Sequence, residues 1–143
     1  MNNSSQASRD STPLLEIRDL RISFASPQGT TEAVRGVNLR MGRERIAVVG
    51  ESGSGKSISF RSLLGLLPAS ATVRADRMSL SGEDLLALSP RAMRELRGGR
   101  IGMVVQDPKQ GLDPLMTIGK QLAEMLKLHG KLPRTGAQQR VRE

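Results

Sequence analysis

Gly50-Glu51-Ser52-Gly53-Ser54-Gly55-Lys56-Ser57 has the residue types and spacing of a phosphate-binding loop, Gly-x-x-x-x-Gly-Lys-Ser. Its glycines let the backbone curl until successive N–H groups point inward at phosphate oxygens. A helix starting at the end of the loop adds unpaired N–H groups and the positive end of its dipole. Lys56 is long enough to reach β- and γ-phosphates as a mobile point charge, and the Ser57 hydroxyl is suited to ligating Mg²⁺. At ordinary residue usage a random chain of this length holds such a match in roughly one case in two hundred. The flanks lower that chance further. Ile46-Ala47-Val48-Val49 is a continuous apolar run, the pattern of a strand covered on both faces. Phe60, Leu63, Leu64 and Leu67 fall on one face of a helix that Pro68 closes. Strand, glycine loop and helix in that order imply a bound purine nucleoside triphosphate.

Toward the N-terminus, Leu15, Ile17, Leu20, Ile22 and Phe24 contain the alternation of a half-buried strand, broken near Arg18-Asp19. Pro27-Gln28-Gly29 signals a turn, and Val37, Leu39 and Met41 alternate again up to Gly42. Two such runs joined by a short loop predict an antiparallel ribbon. Toward the C-terminus, Met78 and Leu80 form a short strand before Gly82. Ser89-Pro90 starts a helix, hydroxyl as N-cap and proline at the first helical position, running to about Arg97 and stopping at Gly98-Gly99. Ile101 to Val105 reads as a second buried strand, ended by Gln106-Asp107-Pro108. Thr117 caps a helix whose apolar residues are Ile118, Leu122, Met125 and Leu126 and which Gly130 ends. Thr135-Gly136-Ala137-Gln138 has capping-box spacing, so a last helix is expected from about residue 136. The expected fold class is α/β: a P-loop NTPase core with an antiparallel β subdomain and the beginning of a helical subdomain.

Composition narrows the setting. Among 143 residues there are no Cys, Trp or Tyr and only two Phe, so the core is built from aliphatic residues and Met. Absence of Cys excludes disulfides and thiolate metal sites and fits a reducing compartment. The net charge of +8 is spread along the chain, not gathered in one run. With so few aromatics, base-stacking platforms are nearly unavailable, and no direct nucleic-acid partner is expected. No stretch reaches the ~20 apolar residues of a membrane span. Met1 to Thr12 is polar without a signal-peptide core and reads as a disordered tail.

Other features read as structural. Leu80-Ser81-Gly82 is taken as strand and turn, without chemistry. His129, the only histidine, reads as a solvated residue near a helix end, interacting with free carbonyls or the dipole. Glu16, Asp19, Glu83, Asp84 and Glu95 are scattered and read as solvated surface, whereas Met93, Met103 and Met125 read as core.

With the loop and Gln106 both placed, the chain resembles the start of an ABC-transporter ATPase, and more narrowly the ATPase subunits of bacterial dipeptide and oligopeptide importers. Beyond Val49 to Ser57, the resemblance is carried by Leu63-Leu64-Gly65-Leu66-Leu67-Pro68 and Gly82-Glu83-Asp84-Leu85-Leu86. It continues through Ile101 to Pro108 and Leu115-Met116-Thr117-Ile118-Gly119-Lys120-Gln121-Leu122, so that it covers the chain from about Leu14 onward. The resemblance implies ATP with Mg²⁺ as cofactors, held by Gly50, Glu51, Ser52, Gly53, Ser54, Gly55, Lys56 and Ser57. Phe24 would stack on adenine with Val34 beside it. Gln106 would reach Mg²⁺ and the attacking water, making it with Lys56 a catalytic group and with Ser57 a metal ligand. The loop around Gln106 would touch a transmembrane permease, and a second ATPase subunit would complete a dimer at the cytoplasmic face of the inner membrane. The domain division implied is a tail over 1–13 and an incomplete nucleotide-binding domain over 14–143. Within it fall an antiparallel β region (14–45), a P-loop core to the glutamine loop (46–108) and the start of a helical subdomain (109–143).

The chain also departs from that pattern. Arg43 stands where glycine is usual before Glu44, so the turn relies on Gly42. Val105 replaces a common Phe, and Lys109-Gln110-Gly111 and Asp113 differ from the usual Met-Thr-Ser and Asn. Nothing after Gln106 supplies a signature loop, a Walker B Asp with its Glu, or a switch His, so weak or no ATP hydrolysis is expected from this chain alone. The competing readings are an ABC-type ATPase of DNA repair or maintenance, and a truncated fragment without activity.

Overall fold

The computed structural model describes residues 12–105, 107, 111–130 and 141. The expected tail and the helix expected from residue 136 lie outside them, apart from Thr12, Pro13 and Val141. The chain forms two compact units, Met1–Met93 and Arg94–Glu143.

The first unit is organised on β1 (Leu15–Ser26), the central strand of a five-stranded antiparallel sheet. Ser26 pairs with Gly29, so a two-residue turn leads directly into β2 (Gly29–Met41), which covers one edge of β1 along its length. The ribbon expected from alternation is therefore present, with β2 starting eight residues before Val37. The other edge of β1 is shared. β3 (Ala71–Arg74) takes Arg21 to Phe24, and β4 (Arg77–Leu80) takes Leu15 to Arg18. β4 turns through Ser81 and Gly82, both at positive φ (50° and 85°), into β5 (Glu83–Asp84), the mirror-image turn that matches strand twist. The strand-and-turn reading of Gly82 holds.

The break near Arg18-Asp19 is a β-bulge: the register slips between Ile17 and Leu20, and Asp19 has φ 47°. A regular strand would put Leu15 and Ile17 on the opposite face from Leu20 and Ile22. The extra residue restores the phase, and all four are buried. The bulge is tied down by the Asp19 N–H donating to Asn38 Oδ1 (3.0 Å) and by Arg21 Nε donating to the Asp19 carboxylate (2.9 Å). That hydrogen bond, with the Arg21 charge behind it and desolvation opposing, holds the Asp19 carboxyl below its ordinary range. The contact therefore persists above the usual carboxylate pKa and is lost as pH falls through the lowered value. Facing the bulge is Gly36, at φ 92°, where a Cβ would lie 2.8 Å from Asp19 Oδ1. Gly36→Ala combines left-handed strain with that clash and is expected to cost about 2 kcal/mol in urea unfolding. A cost below about 0.5 kcal/mol would mean that the bulge yields freely.

The core of this unit gathers Leu15, Ile17, Leu20, Ile22, Val34, Met78 and Leu80 from the sheet with Leu63, Leu64 and Leu85. Glu16 is a correction to the reading of the carboxylates as solvated. It is buried on β1, and its two oxygens take Arg18 Nε (2.9 Å) and Arg77 Nε (2.8 Å). Arg18 and Arg77 are direct cross-strand partners, so one carboxylate bridges two adjacent guanidinium groups and offsets part of their charge.

Two expected strands are not formed. Residues 42–55 contain no strand, and Val48 and Val49 are exposed, Val49 at 88%. In the second unit Ile101 makes one isolated parallel bridge to Arg97, residues 102–105 form no element, and Val104 is 96% exposed. A parallel strand has no hairpin neighbour and depends on chain far away in sequence for both edges and faces. Apart from that single bridge, no described residue pairs with either run.

The helix starts that fall among the described residues are as expected. α2 (Pro90–Leu96) begins after Ser89, whose Oγ accepts from the Ala92 N–H (3.2 Å) as N-cap. Gly98 follows at φ 76°. In the second unit α3 (Ile118–Gly130) begins after Thr117, whose carbonyl accepts from the N–H groups of Lys120 and Gln121. Its apolar residues Ile118, Leu122 and Met125 are exposed, however, and only Ala123 is buried. The core assignment of Met103 and Met125 is corrected likewise: both are exposed, and Met78 is the buried methionine of the sheet. Periodicity reported amphipathic character correctly, but not that a partner surface is present.

Candidate functional site

The loop from Gly50 to Ser57 leads into α1 (Lys56–Leu63). Gly55 is the N-cap, at φ 88° and ψ 0°, with no side-chain cap bond. This left-handed residue turns the chain from loop into helix and leaves the first helical N–H groups open. The N–H groups of Gly53, Gly55, Lys56 and Ser57 have no hydrogen-bond partner among the described residues. The Ser54 N–H closes a turn onto the Glu51 carbonyl (3.3 Å), and Ser59 donates through both N–H and Oγ to the Gly55 carbonyl.

Lys56 folds back over its own loop. Its Nζ donates to the carbonyls of Gly50 and Glu51, each at 2.6 Å, and to Ser54 Oγ at 3.1 Å. All three ammonium hydrogens are thus held by loop oxygens, and the positive charge sits at the centre of the curl. The Ser57 side chain is exposed at the second helical position and makes no hydrogen bond among the described residues. A hydroxyl, a cation and open N–H groups converge here, the chemistry of an anion cradle.

Gly55 is the one buried residue of the loop. A Cβ there would lie 3.1 Å from the Ala33 carbonyl and 3.2 Å from Val34 Cγ2, so the loop rests directly on β2. Val34 is itself buried and pairs with Ile22, two residues from Phe24 on the same face of β1. Phe24 is half-buried, between Thr31 of β2 and Ala71 of β3. Val34 therefore links the strand position of Phe24 to the N-cap of α1. Gln106 lies outside the described residues.

α1 is shorter than the apolar spacing suggested. It ends at Leu63 because Gly65, at φ 57°, reverses the chain: the Gly65 N–H donates to the Ser62 carbonyl and the Leu66 N–H to the Arg61 carbonyl. This is a Schellman motif. Pro68 comes after a stop already made, and the signal missed was the glycine. Two further anchors escaped sequence reading. The Glu44 carboxylate accepts from the Gly42 N–H (2.8 Å), which with its own N–H holds the group below its ordinary range. In the second unit Gln121 accepts from the Asp113 N–H and donates to the carbonyls of Asp113 and Met116, each at 3.0 Å, fastening the preceding loop to α3. His129, in the last turn of α3, is exposed and lies over Gly98.

Among the described residues no cluster of three or more His, Asp or Glu could hold a metal ion, and no helix is long and apolar enough to cross a membrane. A family model described as ABC transporter matches residues 34–143. The chain is 41% identical over 134 residues to the oligopeptide transport ATP-binding protein OppD of Bacillus subtilis, covering 92% of this chain and 37% of that protein. It is 42% identical to the probable peptide ABC transporter ATP-binding protein y4tR of Sinorhizobium fredii, covering 91% of this chain and 39% of that protein. It is also 42% identical to the dipeptide transport ATP-binding protein DppD of Bacillus subtilis, covering 90% and 39%. The chain thus spans well under half the length of these relatives.

Proposed function

The chain belongs to the ABC transporter family, and from that membership we propose that it is part of an ATP-binding subunit of an importer of dipeptides, oligopeptides or related solutes. Its fold is that of a P-loop NTPase nucleotide-binding domain, with an antiparallel β sheet and a few helices. The observation that carries the nucleotide reading is the loop itself: open N–H groups of Gly53, Gly55, Lys56 and Ser57 around the Lys56 ammonium. In this reading phosphate oxygens take the open N–H groups, and Lys56 turns from the loop carbonyls to the β- and γ-phosphates. Phe24 offers its half-buried ring to the adenine, with Val34 beneath. Mg²⁺ takes few ligands from protein and the rest from phosphate and water, so one exposed hydroxyl, Ser57, fits such an ion. Bound there, it would neutralise charge on the phosphates. Gln106 is assigned as a second contact to that ion and as a group that would reach the attacking water.

The same reading divides the nucleotide-binding domain over 14–45, 46–108 and 109–143, with the stretch around Gln106 facing a permease. It places the subunit as one of a pair at the cytoplasmic face of the membrane. No general base is assigned in this chain, so turnover requires groups beyond those named. Mg-ATP at 100 times its Kd is expected to stabilise the chain by about 2.7 kcal/mol, raising Tm by several degrees. Lys56→Ala is expected to remove most of that rise, and little or no phosphate release should accompany it in either form. An unchanged Tm in both forms would rule out nucleotide binding, and Lys56-dependent turnover by the pure chain would rule out the division of labour.

A further inference from the structure

The face of the sheet opposite the buried aliphatics carries an arrangement that the nucleotide reading does not use. Directly paired residues of antiparallel strands share a face. Arg35 on β2, Arg21 on β1 and Arg74 on β3 form one continuous rung, and Arg18 with Arg77 forms a second. With strands about 4.8 Å apart, each rung sets guanidinium groups side by side, an arrangement that like-charge repulsion disfavours. The fold's own carboxylates answer only part of it. Glu16 serves Arg18 and Arg77, while Asp19 (2.9 Å) and Glu32 (3.5 Å) serve Arg21. The outer members of the first rung have no carboxylate among the described residues: Arg35 donates only to the Glu32 backbone carbonyl (3.3 Å), and Arg74 is exposed.

We infer that this sheet face docks an acidic segment of a partner protein, whose carboxylates pair with Arg35 and Arg74 on either side of Arg21. Arg74, and Arg35 through its two terminal nitrogens, can make the two-pronged contact of a guanidinium with a carboxylate. A protein segment fits better than a uniform polyanion because Glu16, Asp19 and Glu32 share the face. Those carboxylates would repel a continuous row of phosphates, whether of lipid or nucleic acid, but not acidic side chains spaced to the outer arginines. The two phenylalanines, Phe24 and Phe60, are not on this face, so bases would find nothing to stack on. A groove of about 350 Å³ beside the rungs, lined by Glu16, Arg18, Asn38 and Arg40 among others, gives an extended segment a bed. The inference stands independently of the nucleotide reading.

The test is binding of a fluorescein-labelled peptide repeating Glu-Gly-Gly, whose carboxylates in extended form are spaced about as the two outer arginines are, to the full chain at low salt, read by anisotropy. Arg35→Gln with Arg74→Gln is expected to weaken binding about tenfold, whereas Arg43→Gln with Arg45→Gln, equal in charge change but off the sheet, should alter it less than about twofold. Because the double substitution relieves like-charge neighbours, its Tm should be unchanged or higher. Should that variant fail to fold, Arg35→Lys with Arg74→Lys keeps the charge and loses the fork. A measurable weakening by the lysine pair supports the inference, and wild-type affinity overturns it. The inference also fails if both glutamine pairs weaken binding equally, if the spaced acidic peptide does not bind, or if phosphatidylglycerol vesicles or a DNA duplex bind more tightly and lose affinity with the same pair.

Discussion

Gly55→Ala is expected to abolish stabilisation by Mg-ATP and to cost about 2–3 kcal/mol in folding, the combined effect of left-handed strain and a forced neighbour shift. The backbone at Gly55 has φ 88°, where an L side chain is strained whatever the space. The space is closed as well, because the new Cβ would meet the Ala33 carbonyl at 3.1 Å and Val34 Cγ2 at 3.2 Å. Either β2 moves outward or the N-cap does. Moving the N-cap turns the open N–H groups of Lys56 and Ser57 away from the phosphates, so binding falls further than stability. Gly53 supplies the comparison. It also has positive φ (81°), but a Cβ there meets nothing within 4 Å. Gly53→Ala should therefore show the strain alone, about 1 kcal/mol, and keep a measurable shift with nucleotide. Equal behaviour of the two variants in urea unfolding and in the Mg-ATP thermal shift would contradict the contact between loop and strand.

Ile22→Ala is expected to destabilise the first unit by about 3–4 kcal/mol, within the range for truncating a fully buried aliphatic side chain. Ile22 is 0% exposed and pairs with both Val34 and Val73 on the central strand, so surrounding strands cannot close the gap without breaking two ladders. Domains of this size are held by roughly 5–15 kcal/mol, so such a loss brings unfolding close to working temperature. Val37→Ala on the neighbouring strand removes an apolar side chain that is 40% exposed and should cost under about 1 kcal/mol. The contrast is read by urea denaturation with the two midpoints compared at constant slope. An Ile22→Ala cost below 1 kcal/mol would show that the sheet is not the core of this unit.

Local chemistry made much of this legible from residues alone. The hairpin between β1 and β2, the Ser89 cap of α2, the Ser81-Gly82 turn and the start of α3 each depend on a few adjacent residues, and each is found where those residues stand. The break at Arg18-Asp19 was visible as a fault in period, since a bulge is what keeps one face apolar across such a fault. Less legible was whatever depended on distant partners. Glu16 looked like any surface carboxylate until β4 brought Arg77 opposite Arg18.

The chemistry of Gly50 to Ser57 resides in the residues themselves: glycines that curl, an N-cap that leaves N–H groups open, a lysine that reaches across. Those properties are short-range, so residue order suffices to specify them. The seat of the loop is different. That Gly55 lies against Val34, and through it near Phe24, follows from a ladder joining residues far apart in the chain. The same dependence acts in reverse on Ile46 to Val49 and Ile101 to Val105. Their apolar runs specify strand character, but a strand exists only where neighbouring backbone offers hydrogen bonds along its edges, and among the described residues only the single Arg97–Ile101 bridge is made.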